Sequence, residues 1–230
     1  MHSRNVDVVE LSFLIDRSPS SVARKLGNFA SLDPKLKERG IVGLSNISKL
    51  DKEVWLEYMQ NWDAEFFEGE RLLAQKKNTT VAYQNSVDLD NLPNVAGKER
   101  ERLVKVRVNQ SIFRKIVLSN FNYQCCITGI RIPELLIASH ILPWSKDQKN
   151  QLNPKNGLAL NTLHDKAFDK CLITITEDLK IKISSSFYKH KDILSITQNF
   201  INFDGKPIIV PKKFDPDVAF LKYHNDLFIA

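Results

Sequence analysis

Apolar positions in the first third of the chain recur at helical spacing. Residues 6–16, VDVVELSFLID, read as one helix in a polar frame. Ser18-Pro19 then marks a second start: Ser18 can cap, and Pro19 at the first helical position gives up no hydrogen bond. From Pro19 to about Phe29, Val22, Leu26 and Phe29 fall on one face, while Ser21, Arg24, Lys25 and Asn28 lie elsewhere. Two helices joined by a tight turn, the second polar and basic, form a helix-turn-helix-like pattern whose second helix suits a DNA groove. Asp33-Pro34 closes this pair, and Gly40 and Gly43 mark a loop. A third helix, from about Asp51 to Leu73, places Val54, Trp55, Tyr58, Trp62 and Phe66 at helical intervals, an aromatic stripe suited to a core or an interface. Residues 76–98 are polar without periodicity and read as a linker. Lys98 to Asn122 returns to a long basic amphipathic helix with Val108, Ile112, Ile116 and Val117 inward.

Beyond residue 122 the period shortens. A short apolar run ends in Ser139-His140-Ile141, a polar Asn/Pro loop follows, and a second run, Gly157-Leu158-Ala159-Leu160-Asn161, leads into a helix carrying His164, Asp165 and Asp169. Residues 172–175 and 179–183 alternate as a hairpin about Glu177-Asp178, and FDPDVAFLKYHNDLF near the end reads as a closing helix. In that closing helix Lys222 and His224 are polar groups on a packing element. The order is α+β: a small all-helical N-terminal domain over 1–75, a linker over 76–97, and a C-terminal domain over 98–230 built on strand, loop, strand and helix with flanking helices.

Composition adds a partner. The 230 residues include 43% hydrophobic positions, enough for a core, and carry a formal charge of +6. That charge is uneven: residues 1–98 hold 13 Lys and Arg against 14 Asp and Glu, leaving 20 against 13, a net +7, for 99–230. A polyanion is the expected partner of the second half. Residues 51–98, with 5 bases against 9 acids, are a poor phosphate surface. Three cysteines, two of them adjacent at Cys125 and Cys126, do not make a disulfide framework, so a reducing cytoplasm is expected. No apolar run approaches 18 residues, and no basic-then-apolar leader opens the sequence, so neither membrane spanning nor secretion is expected.

Four pieces of the second half carry chemistry in a fixed order: Cys125-Cys126-Ile127-Thr128-Gly129, Ser139-His140-Ile141-Leu142-Pro143-Trp144, Asn156-Gly157-Leu158-Ala159-Leu160 and His164-Asp165-Lys166-Ala167-Phe168-Asp169. Together they resemble the HNH, or ββα-metal, endonucleases, and the restriction-enzyme branch in particular. RSPSSVARKLGNFASLDP likewise resembles a module that precedes HNH domains in some restriction endonucleases. The resemblance implies a metal-dependent enzyme hydrolysing phosphodiesters of double-stranded DNA, with a restriction role that includes the modification-dependent kind. A nicking or homing-type nuclease and a DNA-binding protein that no longer cuts are the rivals. His140 is then the general base, since a histidine titrating near neutrality can take a proton from water. Asn156, sixteen residues on, ties the loop and supports the histidine. Asp165 is the helix ligand for one divalent ion, Mg²⁺ or Mn²⁺ by oxygen preference. His164, about 100° around the helix, is a second candidate for metal or phosphate. Asp169, one turn on from Asp165, is expected to pair with a base.

Two departures from the family pattern stand out. Ser139 occupies the place where many HNH enzymes carry an aspartate ligand, so it is the remaining metal candidate, with a weaker oxygen. Paired C-x-x-C knuckles are absent, so no structural zinc is expected. Arg24 and Lys25 in the first domain, and Arg107, Arg114 and Lys115 in the long helix, are candidate DNA contacts. A single such site cuts one strand, so a double-strand break calls for a second copy, most simply in a homodimer.

Overall fold

The computed structural model describes residues 2–38, 40, 47–88, 93, 96–143, 145, 146, 150 and 152–230. Gly43, Trp144 and the linker positions 89–92, 94 and 95 lie outside the described residues. The chain divides into two compact units, Met1–Val95 and Ala96–Ala230.

The first unit is helical. Helix α1 (Val6–Leu14) is capped by Asn5, whose side chain accepts from Asp7 N and Val8 N. Helix α2 (Pro19–Leu32) starts as its sequence signals, with Ser18 accepting from Ser21 N and Pro19 at the first position. A short α3 (Pro34–Glu38) follows. The long third helix expected from periodicity is two helices, α4 (Lys49–Gln60) and α5 (Trp62–Lys76). Asn61 takes φ −127° and ψ 33°, outside the helical well, and serves both as the end of α4 and the start of α5. Asparagine competes for backbone hydrogen bonds in nonhelical conformations, and the break interrupts the aromatic stripe. Its upper part still packs inward: Trp55 stacks on Phe29 of α2, ring centroids 6.4 Å apart.

The polar stretch read as linker from residue 76 is structured at its start. Thr80 caps α6 (Val81–Gln84), and Gln84 and Asn85 both donate to Glu70 of α5 at 2.8 Å. These polar side chains bind the first unit instead of solvent.

The second unit is built on α7 (Gly97–Asn120), which buries Val108, Ile112, Phe113, Val117 and Leu118. Over it lies an antiparallel pair, β1 (Leu136–His140) and β2 (Gly157–Asn161), in register from Leu136↔Asn161 to His140↔Gly157. Helix α8 (Thr162–Asp169) leaves β2 directly, with Asn161 accepting from His164 N at 2.9 Å. Both α7 and α8 pack on this hairpin. All five β2 residues are buried, as a strand covered on both faces must be. A second antiparallel pair, β3 (Ile173–Ile175) and β4 (Ile181–Ile183), is followed by α9 (Leu194–Asn199) and by α10 (Val218–Asp226), which packs on β3. No helix among the described residues is long and apolar enough to cross a membrane.

Gly157 sets how closely α7 approaches the hairpin. A Cβ there would lie 2.9 Å from Phe113 Cζ and closer still to Val117 Cγ2. Gly157→Ala is therefore expected to lower stability by about 1–3 kcal/mol, the usual cost of forcing atoms into a packed core. Urea denaturation measures it, and an unchanged midpoint would show that α7 yields without cost.

Candidate active site

The chain that follows β1 is tied to the start of β2 by Asn156. Asn156, 1% exposed, accepts from Leu142 N at 2.8 Å through Oδ1 and donates to Leu142 O at 3.0 Å through Nδ2. Its own carbonyl accepts from Ile141 N at 3.0 Å. These three bonds extend the hairpin past the His140↔Gly157 pair and fix the chain immediately after His140. Asn156 holds the loop backbone.

Successive side chains of a strand point to opposite faces. His140 and its partner Gly157 face α7, and the half-buried imidazole lies flat on Phe113, with centroids 3.6 Å apart and planes 12° from parallel. Ser139 points the other way, into the 3%-exposed space beneath α8. Its Oγ has no hydrogen-bond partner of good geometry, yet it lies close enough to Asp165 to act on that carboxyl. Burial pushes the Asp165 carboxyl above the usual aspartate range; Asp169 adds to this, while Ser139 and Lys166 oppose it. The structure thus brings Ser139 and Asp165 together. The base candidate is one residue away, on the other side of the same strand end.

That pair fits a hard cation. A buried hydroxyl left unpaired costs about 1–3 kcal/mol, and a carboxyl raised by burial gains from a nearby positive charge. One carboxylate and one hydroxyl oxygen suit an ion that completes its shell with water and phosphate, as Mg²⁺ does. Among the described residues no three His, Cys, Asp or Glu side chains form a metal cluster.

His164 takes a different role from the metal or phosphate contact expected of it. Its ring is 1% exposed, its Nε2 donates to Asn199 O at 2.6 Å, and its Nδ1 faces Cys125 Sγ at 4.0 Å. Phe200 and Phe203 meet the ring edge-on. With Nε2 carrying the proton, Nδ1 is left to accept from the thiol, and neither nitrogen remains for an ion. The 100° between neighbouring helix positions turns His164 into the core and leaves Asp165 half-buried beside Ser139. Burial raises the Cys125 thiol, but His164 and Thr128 outweigh it and bring it down to about 7. Asp169 is exposed.

The basic candidates divide in the same way. Lys25 donates to Asp51 Oδ1 at 2.6 Å, and Asn28 donates to the other oxygen at 2.9 Å; together with Ser48 they hold the Asp51 carboxyl at about 2. Lys25 thus pairs with α4 while its own side chain stays about half exposed, at 52%, and Arg24 beside it is exposed. Arg114 donates to the carbonyls of Leu136 and Pro133, tying α7 to the start of β1. It serves the fold first. Arg107 reaches Gln110 at 3.3 Å on an exposed stretch of α7, and Lys115 is exposed. His224 is buried, stacked on Phe168 at 3.7 Å and bonded to Phe168 O at 3.0 Å, which makes it a core residue. Lys222 is exposed.

Phe113 was not legible as part of the site. It is one of several apolar positions on α7, and nothing local distinguishes it from Ile112 or Val117. Comparison with known families matches residues 125–176 to the HNH endonuclease model. No curated protein matches the chain.

Proposed function

We propose that this chain, whose residues 125–176 match the HNH endonuclease model, is a metal-dependent endonuclease of double-stranded DNA, serving in restriction. The observation that carries the reading is the buried, unpaired Ser139 hydroxyl beside Asp165, at the strand end that also bears His140. A hydroxyl and a carboxylate held this close without a well-formed bond between them leave oxygens that one divalent cation can share.

The chain's own groups then divide the work. His140 takes the proton of the attacking water through its imidazole. Asn156 keeps the loop after His140 rigid, so the ring and the Ser139–Asp165 side stay in a constant relation. Asp165 and Ser139 hold the ion, which when bound neutralises charge on the phosphorus centre and on the departing oxygen. The reading requires a phosphodiester laid across the end of β1, since the base and the ligand pair flank that strand. Arg107 and Lys115 contribute positive charge from α7, and Arg24 does so from the first unit, where we place site preference. A homodimer is the simplest route to a double-strand break.

Ser139 in place of the aspartate many HNH enzymes carry favours one rival, a DNA-binding protein that does not cut. Supercoiled plasmid incubated with the protein and Mg²⁺ or Mn²⁺ separates the readings. Linear DNA that disappears with EDTA is the expected product. Open circles alone would make the enzyme a nickase, and a mobility shift without any cleavage would overturn the proposal.

A further inference from the structure

Phe113 lies on α7, upstream of the segment that matches the HNH model. Its ring is 2% exposed and is fixed in the core by its own helix, beside Ile112 and Val117. The His140 imidazole lies on it at 3.6 Å between centroids and 12° between planes, which is van der Waals contact over nearly the whole ring. The final torsion of a histidine is broad and roughly two-fold, so an imidazole at a strand end is not aimed by its backbone alone. A flat, immobile surface beneath it narrows that breadth and fixes the plane of the ring. Across the strand pair, Gly157 makes the contact possible: a Cβ there would lie 2.9 Å from Phe113 Cζ and displace the ring.

We propose that Phe113 is the positioning residue for His140, with Gly157 providing its space, so that the ring plane of the base is set by a helix outside the matched domain segment. The proposal rests on the reading of His140 as the base. A ring held in one plane loses no orientational freedom when it accepts a proton, and a small misplacement of a catalytic group costs rate without altering affinity.

Phe113→Leu and Phe113→Met keep an apolar side chain of similar size and remove only the flat ring. In the full chain, the expected result is a turnover on plasmid DNA about 10–100-fold lower, with KM for DNA unchanged. Val108→Ala, elsewhere in the α7 core, is the control for mere destabilisation: it should lower the melting temperature and leave turnover at a permissive temperature intact. An orientation readout independent of cleavage is the aromatic NMR signal of His140, assigned by its loss in His140→Ala. Wild-type protein should show ring-current displacement of the His140 carbon-bound protons and cross-relaxation to Phe113, and both Phe113 variants should lose the displacement. Folded Phe113 variants that cut at the wild-type rate while His140→Ala is inactive would overturn the positioning role and leave the endonuclease reading standing. A wild-type rate in His140→Ala would overturn both. Should both Phe113 variants fail to fold, the wild-type spectrum decides: absence of displacement and cross-relaxation refutes the contact, and their presence with an inactive, folded Gly157→Ala supports it.

Discussion

His140→Ala should abolish DNA cleavage while leaving DNA binding nearly unchanged. The imidazole is assigned one task, proton transfer, for which losses of roughly 10²–10⁴-fold are usual. It is expected to contribute little to affinity, which for nucleic acids comes mainly from cations on phosphates, for which the proposed groups are Arg107, Lys115 and Arg24. The ring is half-buried and stacked on Phe113, so its removal also leaves that aromatic face uncovered. A modest drop in melting temperature should accompany the loss of activity, and it should be far too small to explain it. Cleavage rates measured beside a mobility-shift titration test both halves. A variant that cuts at the wild-type rate refutes the assignment of the base.

The second large effect belongs to Asp165, and its sign differs between activity and stability. Asp165→Ala removes the carboxylate of a site with few protein oxygens, so the cleavage rate at fixed Mn²⁺ should fall on the order of 10²-fold or more. The variant should not be less stable. Folding raises the carboxyl above its ordinary value, so above that ordinary value the unfolded chain accommodates the charged form better than the fold does. Near neutrality the charge therefore opposes folding, and its removal should leave the melting temperature level or raised. Such a trade of stability for function is common where a site holds an uncomfortable charge. His164→Ala should show the reverse pattern in stability, because it breaks the Nε2 bond to Asn199 O and empties a buried volume among Phe200 and Phe203. If Asp165→Ala is silent in cleavage and His164→Ala, still folded, shifts the metal dependence, the ligand sits one residue earlier on the helix.

Much of the molecule could be read from local signals. Ser18-Pro19 starts α2 where capping chemistry says it must, and the alternation at residues 173–183 does form a hairpin. The run from Leu136 to Asp169 folds as strand, loop, strand and helix, in the order its periodicity implies. Asn156 ties the loop, through the Leu142 backbone. These features depend on contacts within a few residues or on a strand period of two, so they are written in the sequence at close range. The break at Asn61 was missed because apolar spacing continues across it.

Tertiary structure decided which face of each element is used, and with it the roles of individual side chains. His164 reads as a second candidate beside Asp165, until Asn199 and Cys125, 35 and 39 residues distant, take both its nitrogens. Lys25 reads in the sequence only as a surface base, and the fold adds a partner for its ammonium, Asp51, 26 residues on. Arg114 is a surface base in the sequence and a clamp on β1 in the fold. Phe113 is an ordinary core residue until the hairpin lays His140 on it. The physical reason is common to all four. A side chain's partner is chosen by which surfaces the packed core brings together, and those contacts bridge 19 to 39 residues of chain, whereas capping, periodicity and turn chemistry act over about four or five.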